Sequence, residues 1–250
     1  MTRTPDRRAR STGAVLVHQL RTVAADLPLM ITAPLYRRRH LRWGATPGEV
    51  LSGMPGDDVL PHAQFRCTRA VTIDGPPVAV WPWLVQVGCG RAGWYSNDLL
   101  DNLGRPSARE ILPELQHLEV GQWVPMAPTP PSQTTALRVD GFEVPRWLLW
   151  RKPDSTWCWT LTELEDGRTR LVTRVHAVYD WTRPAMALLG VVLMEFGDFA
   201  MMRRMLLGIK ERAKGTHGTG PSEPAASDST GRRGGAWVSG NRVRGLRVGL

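Results

Sequence analysis

The spacing Gly88-x-Gly90-x-x-Gly93 cradles a pyrophosphate when it joins a strand to the start of a helix. Glycine is needed there because a side chain would hold the backbone N–H groups away from the phosphate oxygens. The flanks of this copy do not supply that setting. A dinucleotide unit needs a hydrophobic strand before the glycines, a long helix after them and a second parallel strand ending in an acidic residue. Here Pro82 falls inside the would-be strand, where it would remove a ladder hydrogen bond, and the next segment, REILPELQHLEV, is not a buried strand. The three glycines read instead as turns between two short helices.

Other residues able to do chemistry are few. The GxSxG, HExxH and P-loop patterns are absent. His62, His117 and His176 are isolated, and His176, sharing a strand face with Arg174, is expected at the surface. Asp98 and Asp101 lie three apart on a short helix and could flank a cavity mouth or be solvated. Arg69 shares a strand face with Val71 and Ile73, so it should point inward. A buried guanidinium needs either a carboxylate or a ligand anion. Cys67, Cys89 and Cys158 are widely spaced and odd in number, which fits neither a disulfide framework nor a metal site. They read as buried reduced thiols in a reducing cytosol, with no metal and no cofactor expected.

The 250-residue chain carries a net charge of +9, and that charge sits at its ends. Residues 1–42 hold nine Arg and two Asp, and residues 215–250 hold five Arg against one Glu and one Asp. The middle, with 18 basic and 19 acidic residues, is close to neutral. A nucleic-acid reader carries its basic patch on the fold itself, so specific nucleic-acid binding is not expected. Eleven tryptophans against three tyrosines and four phenylalanines suit a core with a wet cavity or rim.

Three regions follow. Residues 1–42 form a basic extension with an amphipathic helix, in which Leu16, Leu20, Val23 and Leu27 recur at helical spacing. Arg21 and Asp26 interrupt it, which argues against a spanning helix. The cluster Arg37-Arg38-Arg39-His40-Leu41-Arg42 could touch anionic lipid, with residues 13–42 lying at the interface on the inner face of a membrane. The preferred alternative packs the apolar stripe on its own domain or on a second subunit. Residues 215–250 are Gly-, Ser-, Pro- and Arg-rich and read as a disordered tail.

Residues 43–214 read as one α+β domain. An irregular lead-in (43–64) precedes a strand (65–74) and a helix opening at Gly75-Pro76-Pro77, followed by a second short helix from Trp94 to Leu103. Strands are expected over 120–126, 136–142, 146–151, 155–164 and 168–179, with Asp166-Gly167 as a hairpin turn. Alternation in the last two predicts an antiparallel sheet apolar on one face and polar on the other. The closing helix, 184–214, presents Phe199, Met202, Leu206 and Ile209 as a stripe to cover it.

That order of elements, with PPVAVWPWLVQVGCGRAGWYSNDLLDNLG after the first strand and DFAMMRRMLLGIKERA at the end, resembles the SRPBCC (START/Bet v 1-like) superfamily. The resemblance runs from about Trp43 to Ala213 and includes WGAT-x-x-E-V and PGDD-x-L-P. It departs from the usual pattern at Gly75, Val78, Cys89 and Asn97. It implies a helix-grip fold, a curved antiparallel sheet wrapped around the C-terminal helix with a cavity between them. Its relatives bind lipids, sterols or polyketides, and some catalyse cyclisation or dehydration. The implied function is therefore cytoplasmic binding or carriage of a small hydrophobic molecule. Trp94, Tyr95, Trp123, Trp157, Trp159, Met202 and Met205 would line the pocket, with Arg69, Tyr95 and Asp98 as its polar groups. The alternatives are a cyclase or dehydratase using Tyr95 or Asp98 for proton transfer in the same cavity, and a membrane-peripheral interaction module.

Overall fold

A computed structural model describes residues 7–215, so the tail expected beyond that point lies outside the described residues. Six strands form one antiparallel sheet: β1 (Phe65–Ile73), β2 (Trp123–Pro125), β3 (Ala136–Glu143), β4 (Trp147–Lys152), β5 (Ser155–Glu163) and β6 (Thr169–Ala177). Their spatial order is β1-β6-β5-β4-β3-β2. Strands β2 to β6 thus form a meander, and only the β1–β6 pair joins segments distant in sequence. Gly167 at φ +75° closes the β5–β6 hairpin where Asp-Gly foretold a turn.

Helices cover the concave face. After β1 comes α4 (Pro77–Val85), preceded in the chain by α1 (Arg7–Thr32), α2 (Arg37–His40) and α3 (Pro47–Leu51). The C-terminal helix is continuous but contains a π-helical stretch, Leu193–Gly197, between α6 (Pro184–Val192) and α7 (Asp198–Gly215). Met202, Met205, Leu206, Ile209 and Ala213 of α7 pack into one core with Trp81, Trp83 and Leu84 of α4 and with Phe65, Ile73, Trp159 and Leu171 of the sheet. Each such side chain contributes about 1.5–3 kcal/mol by leaving water. The architecture is the helix grip that the resemblance implied.

The outer face of the sheet is covered too, against the expectation of a solvated polar face. The lead-in folds back on it through α3, which begins with a capping box: the Glu49 amide donates to Thr46 Oγ1 at 3.2 Å, and the Thr46 amide to Glu49 Oε2 at 2.7 Å. From β6, Arg170 pairs with Glu49 Oε1 at 2.7 Å and holds that carboxyl down to about 2. Arg174 donates to the carbonyl oxygens of Glu49, Val50 and Ser52 and pairs with Asp57 at 2.6 Å. Met54 closes a small second core with Ala70, Leu149, Cys158 and Val172. His176, expected at the surface, is buried under this flap. The free edge of β1 is also used: the Thr68 and Ala70 amides donate to Leu41 O and Trp43 O at 2.8 and 3.1 Å.

Two further expectations fail. The helix read over Trp94–Leu103 shrinks to α5 (Asp98–Asp101), because Tyr95 sits in the left-handed region at φ +56° and breaks the helix before it begins. The apolar stripe of α1 does not pack on its own domain, the first of the two settings expected for it. Asp26 is 3% exposed and Gln19 is buried, whereas Leu20 and Leu27 are 51% and 47% exposed. The inner face is polar because its groups find partners: Gln19 Nε2 donates to Gly104 O at 2.8 Å, and Asp26 accepts from Asn97 Nδ2 at 2.8 Å and from Arg204.

Candidate functional site

The glycine turn after α4 offers no phosphate cradle. Gly88 and Gly93 exchange backbone hydrogen bonds at 3.2 and 3.1 Å, Cys89 N donates to Pro125 O, and Gly90 N donates to Asn102 Oδ1. Arg91 N and Ala92 N donate to Gly88 O and Gln86 O. Every N–H that a bound anion would need is already spent. The positive φ values at all three glycines, +141°, +75° and +81°, serve the reversal alone.

That reversal delivers Tyr95. Its strained backbone is held by a hydrogen bond from the Tyr95 amide to Ser107 Oγ at 3.1 Å and by close contact with α7. A Cβ at Gly208 would stand 2.4 Å from Tyr95 O, so only glycine lets α7 approach. The Tyr95 hydroxyl donates to Trp83 O at 3.1 Å and accepts from Gln86 Nε2 at 2.9 Å, and burial pushes it up to about 12. The Arg212 guanidinium lies 4.5 Å over its ring, with Nε donating to Ala108 O and Nη1 to Gly208 O. Ser107 Oγ donates in turn to Asp98 Oδ1 at 2.5 Å.

Around this turn lies an open cavity of about 470 Å³, one wall of which is α1. His18, Gln19 and Thr22 come from α1, Tyr95 to Asp98 from the turn, Arg109 from the following loop, and Arg203, Arg204, Leu207, Glu211 and Arg212 from α7. Four arginines and two carboxylates line this cavity, and Arg204 pairs with Asp26 beneath it.

The expected pocket lining therefore divides. Tyr95 and Asp98 line this cavity. Trp94, Trp157 and Trp159 do not: Trp94 stacks on Trp157 at 5.6 Å, Trp157 on Trp159 at 5.2 Å, and Trp150 meets the latter two edge-on at 5.3 and 5.8 Å. These indoles, with Met202 and Met205, pack into the core between sheet and helix. Trp123 lies half-buried at the β2 edge beneath Arg138, 5.0 Å away. Arg69 points inward as expected and takes the internal option, pairing with Asp198 at 2.6 Å and donating from Nε to His40 O. The indole N–H groups of Trp150 and Trp159 have no hydrogen-bond partner among the described residues. The cavity's arginines were not singled out from the sequence; the polar run Gln19, Thr22 and Asp26 at helical spacing was the available signal.

Asp101, one turn beyond Asp98, is pushed up to about 7 by burial first and by the Asp98 carboxylate second. The folded state thus binds this proton more tightly than the unfolded chain. Its stabilisation is complete below the ordinary carboxylate range and is lost as pH rises through the folded value. Asp101→Asn is therefore expected to raise Tm by roughly 2–6 °C at about pH 8 and to leave it nearly unchanged at about pH 4. Calorimetry showing equal shifts at both pH values would remove this account of Asp101.

No family model and no curated protein matches the chain. Among solved structures it is similar to the polyketide_cyc-like protein Cgl2372 of Corynebacterium glutamicum: 13% identity, 61% of this chain and 93% of that one, TM-score 0.38. It is also similar to SSP2350 of Staphylococcus saprophyticus, at 12% identity, covering 60% of this chain and 92% of that one, TM-score 0.35. The di-domain ARO/CYC BexL of the BE-7585A biosynthetic pathway matches at 14% identity, over 67% of this chain and 54% of that one, TM-score 0.32. Overlaps this low transfer neither a ligand nor a reaction.

Proposed function

We propose that this protein binds and carries a small amphiphilic molecule whose carboxylate or phosphate head sits in the cavity under α1. The observation that carries this reading is the convergence of Arg109 and Arg203 on this cavity, beside an Arg212 already held by Ala108 O and Gly208 O. Guanidinium forks match carboxylate and phosphate oxygens, and a part-buried setting strengthens each contact. Proton-transfer chemistry of the cyclase or dehydratase kind is less well supported. The Tyr95 hydroxyl is engaged with Gln86 and Trp83, and Asp98 Oδ1 accepts from Ser107, so the acid–base pair this chemistry needs is largely tied up in internal hydrogen bonds.

A second reading keeps an uncharged ligand with a hydrogen-bond acceptor, such as a long-chain alcohol, inside the grip. The unpartnered N–H groups of Trp150 and Trp159 favour it, since buried indoles usually find an acceptor. Calorimetric titration with dodecyl phosphate and with dodecanol separates the two. The head-group reading expects dodecyl phosphate to bind more tightly and Arg109→Glu, an exposed change, to weaken it roughly tenfold or more. Tight dodecanol binding that ignores Arg109→Glu would move the ligand into the grip. Binding of neither would defeat both.

A further inference from the structure

The outward side of α1 and the outward side of α6 leave apolar residues in solvent where a folded domain would ordinarily cover them. On α1 these are Leu16, Leu20, Leu27 and Ile31, which fall on one stripe at helical spacing. On α6 and the π-helical stretch they are Met186, Leu188, Leu189, Val192, Leu193 and Phe196. The two belong to one side of the molecule. α1 packs along the π-helical stretch, and Arg37, just beyond α1, pairs with Glu195 within that stretch at 2.7 Å. Exposed Tyr36 and Trp181 stand at the ends of the two segments, and rings with one apolar and one polar part favour a membrane interface.

We infer that this side docks on the surface of an anionic lipid bilayer, with α1 and α6 lying in the plane of the interface. Charge selects the occupant. Arg38 and Arg39 of α2, and Arg42 just after it, are exposed and have no ion-pair partner among the described residues. Arg38 and Arg42 open onto a second cavity of about 660 Å³ that also gathers Arg66, Arg174 and His176. A two-fold pairing of this side with a second copy would bring the basic clusters towards each other, whereas anionic head groups satisfy the arginines while acyl chains receive the leucines. By length and composition, Gly13–His40 and Pro184–Lys214 could each cross a membrane. The buried Asp26–Arg204 pair instead keeps α1 on the protein, and α7 is the core helix of the grip, so the helices lie on the bilayer.

Flotation of the full chain with vesicles of phosphatidylcholine alone, and with added phosphatidylglycerol, tests this. Binding is expected to the phosphatidylglycerol vesicles and to fall with added salt. Leu20→Asp with Leu27→Asp, and separately Arg38→Glu with Arg42→Glu, should each cut the bound fraction about tenfold or more, with Tm unchanged because all four positions are exposed. No binding to either vesicle, or binding that both double variants leave intact, overturns the inference. So does a dimer in solution that Leu20→Asp with Leu27→Asp dissociates, because that makes the second copy the occupant. The outcome does not depend on any ligand in the cavity under α1.

Discussion

Asp26→Ala is expected to free α1 from the rest of the molecule while leaving the sheet folded. Asp26 is the centre of the polar seam beneath this helix: it accepts from Asn97 Nδ2 at 2.8 Å and from Arg204 Nη2 at 3.0 Å, and Arg204 also donates to Thr22 O. Few apolar side chains back this seam up, because the helix turns its leucines outward. Removing the carboxylate leaves Asn97 and Arg204 facing a void. Breaking a buried pair costs about 3–5 kcal/mol, and the part of Arg204 still in water brings the expected loss to roughly 2–3 kcal/mol. Backbone amides of α1 should then exchange with solvent roughly 30–150 times faster, and those of β5 and β6 at their original rates. Hydrogen-exchange mass spectrometry reads both at once. Unchanged protection in α1, or equal loss in the sheet, would refute the seam as the helix's chief attachment.

Arg69→Ala should have the largest effect on the whole fold. The side chain is 1% exposed, pairs with Asp198 at 2.6 Å, donates to His40 O at 2.8 Å and lies 5.5 Å above the Phe199 ring. It therefore ties β1 to the first turn of α7 and to α2. Truncation leaves the Asp198 carboxylate without its counter-charge, at a cost of about 3–5 kcal/mol. The double variant Arg69→Met with Asp198→Leu should recover much of that loss, since it removes both charges and keeps the volume. Urea denaturation at constant m-value measures all three proteins. A single variant costing under about 1 kcal/mol, or a double variant as unstable as the two losses added, would show that the pair is not what joins these elements.

The strands' positions along the chain and the closing helix were legible because their signals are local. Trp157, Trp159 and Leu161 alternate along β5, Asp166-Gly167 marks its turn, and Phe199, Met202, Leu206 and Ile209 repeat at helical spacing. The inward direction of Arg69 followed from the same alternation. What could not be read was which of two stripes on α1 faces the protein. The leucine stripe and the Gln19–Thr22–Asp26 stripe both have helical period, and the choice rests on Asn97, Gly104 and Arg204, all far away in sequence. Nor does composition tell a tryptophan that lines a cavity from one that fills it; that is decided by the ring centroids, 5.2–5.6 Å apart along the stack Trp94–Trp157–Trp159. The break at Tyr95 had no sequence signal either, since a positive φ at an aromatic residue is held by Ser107 and by the missing Cβ of Gly208.

The π-helical stretch at Leu193–Gly197 has a bearing on how such a molecule could change over generations. A π turn arises when a single residue is inserted into an α-helix, and one residue turns everything upstream by about 100°. Here that rotation lies between α7, which keeps Met202, Met205 and Leu206 inside, and α6, which turns Met186, Leu188 and Leu189 outward. The two halves of this helix are thus free to diverge in orientation. One codon gained or lost in this stretch would swing the α6 face around the helix axis, and the grip around α7 would be left as it is.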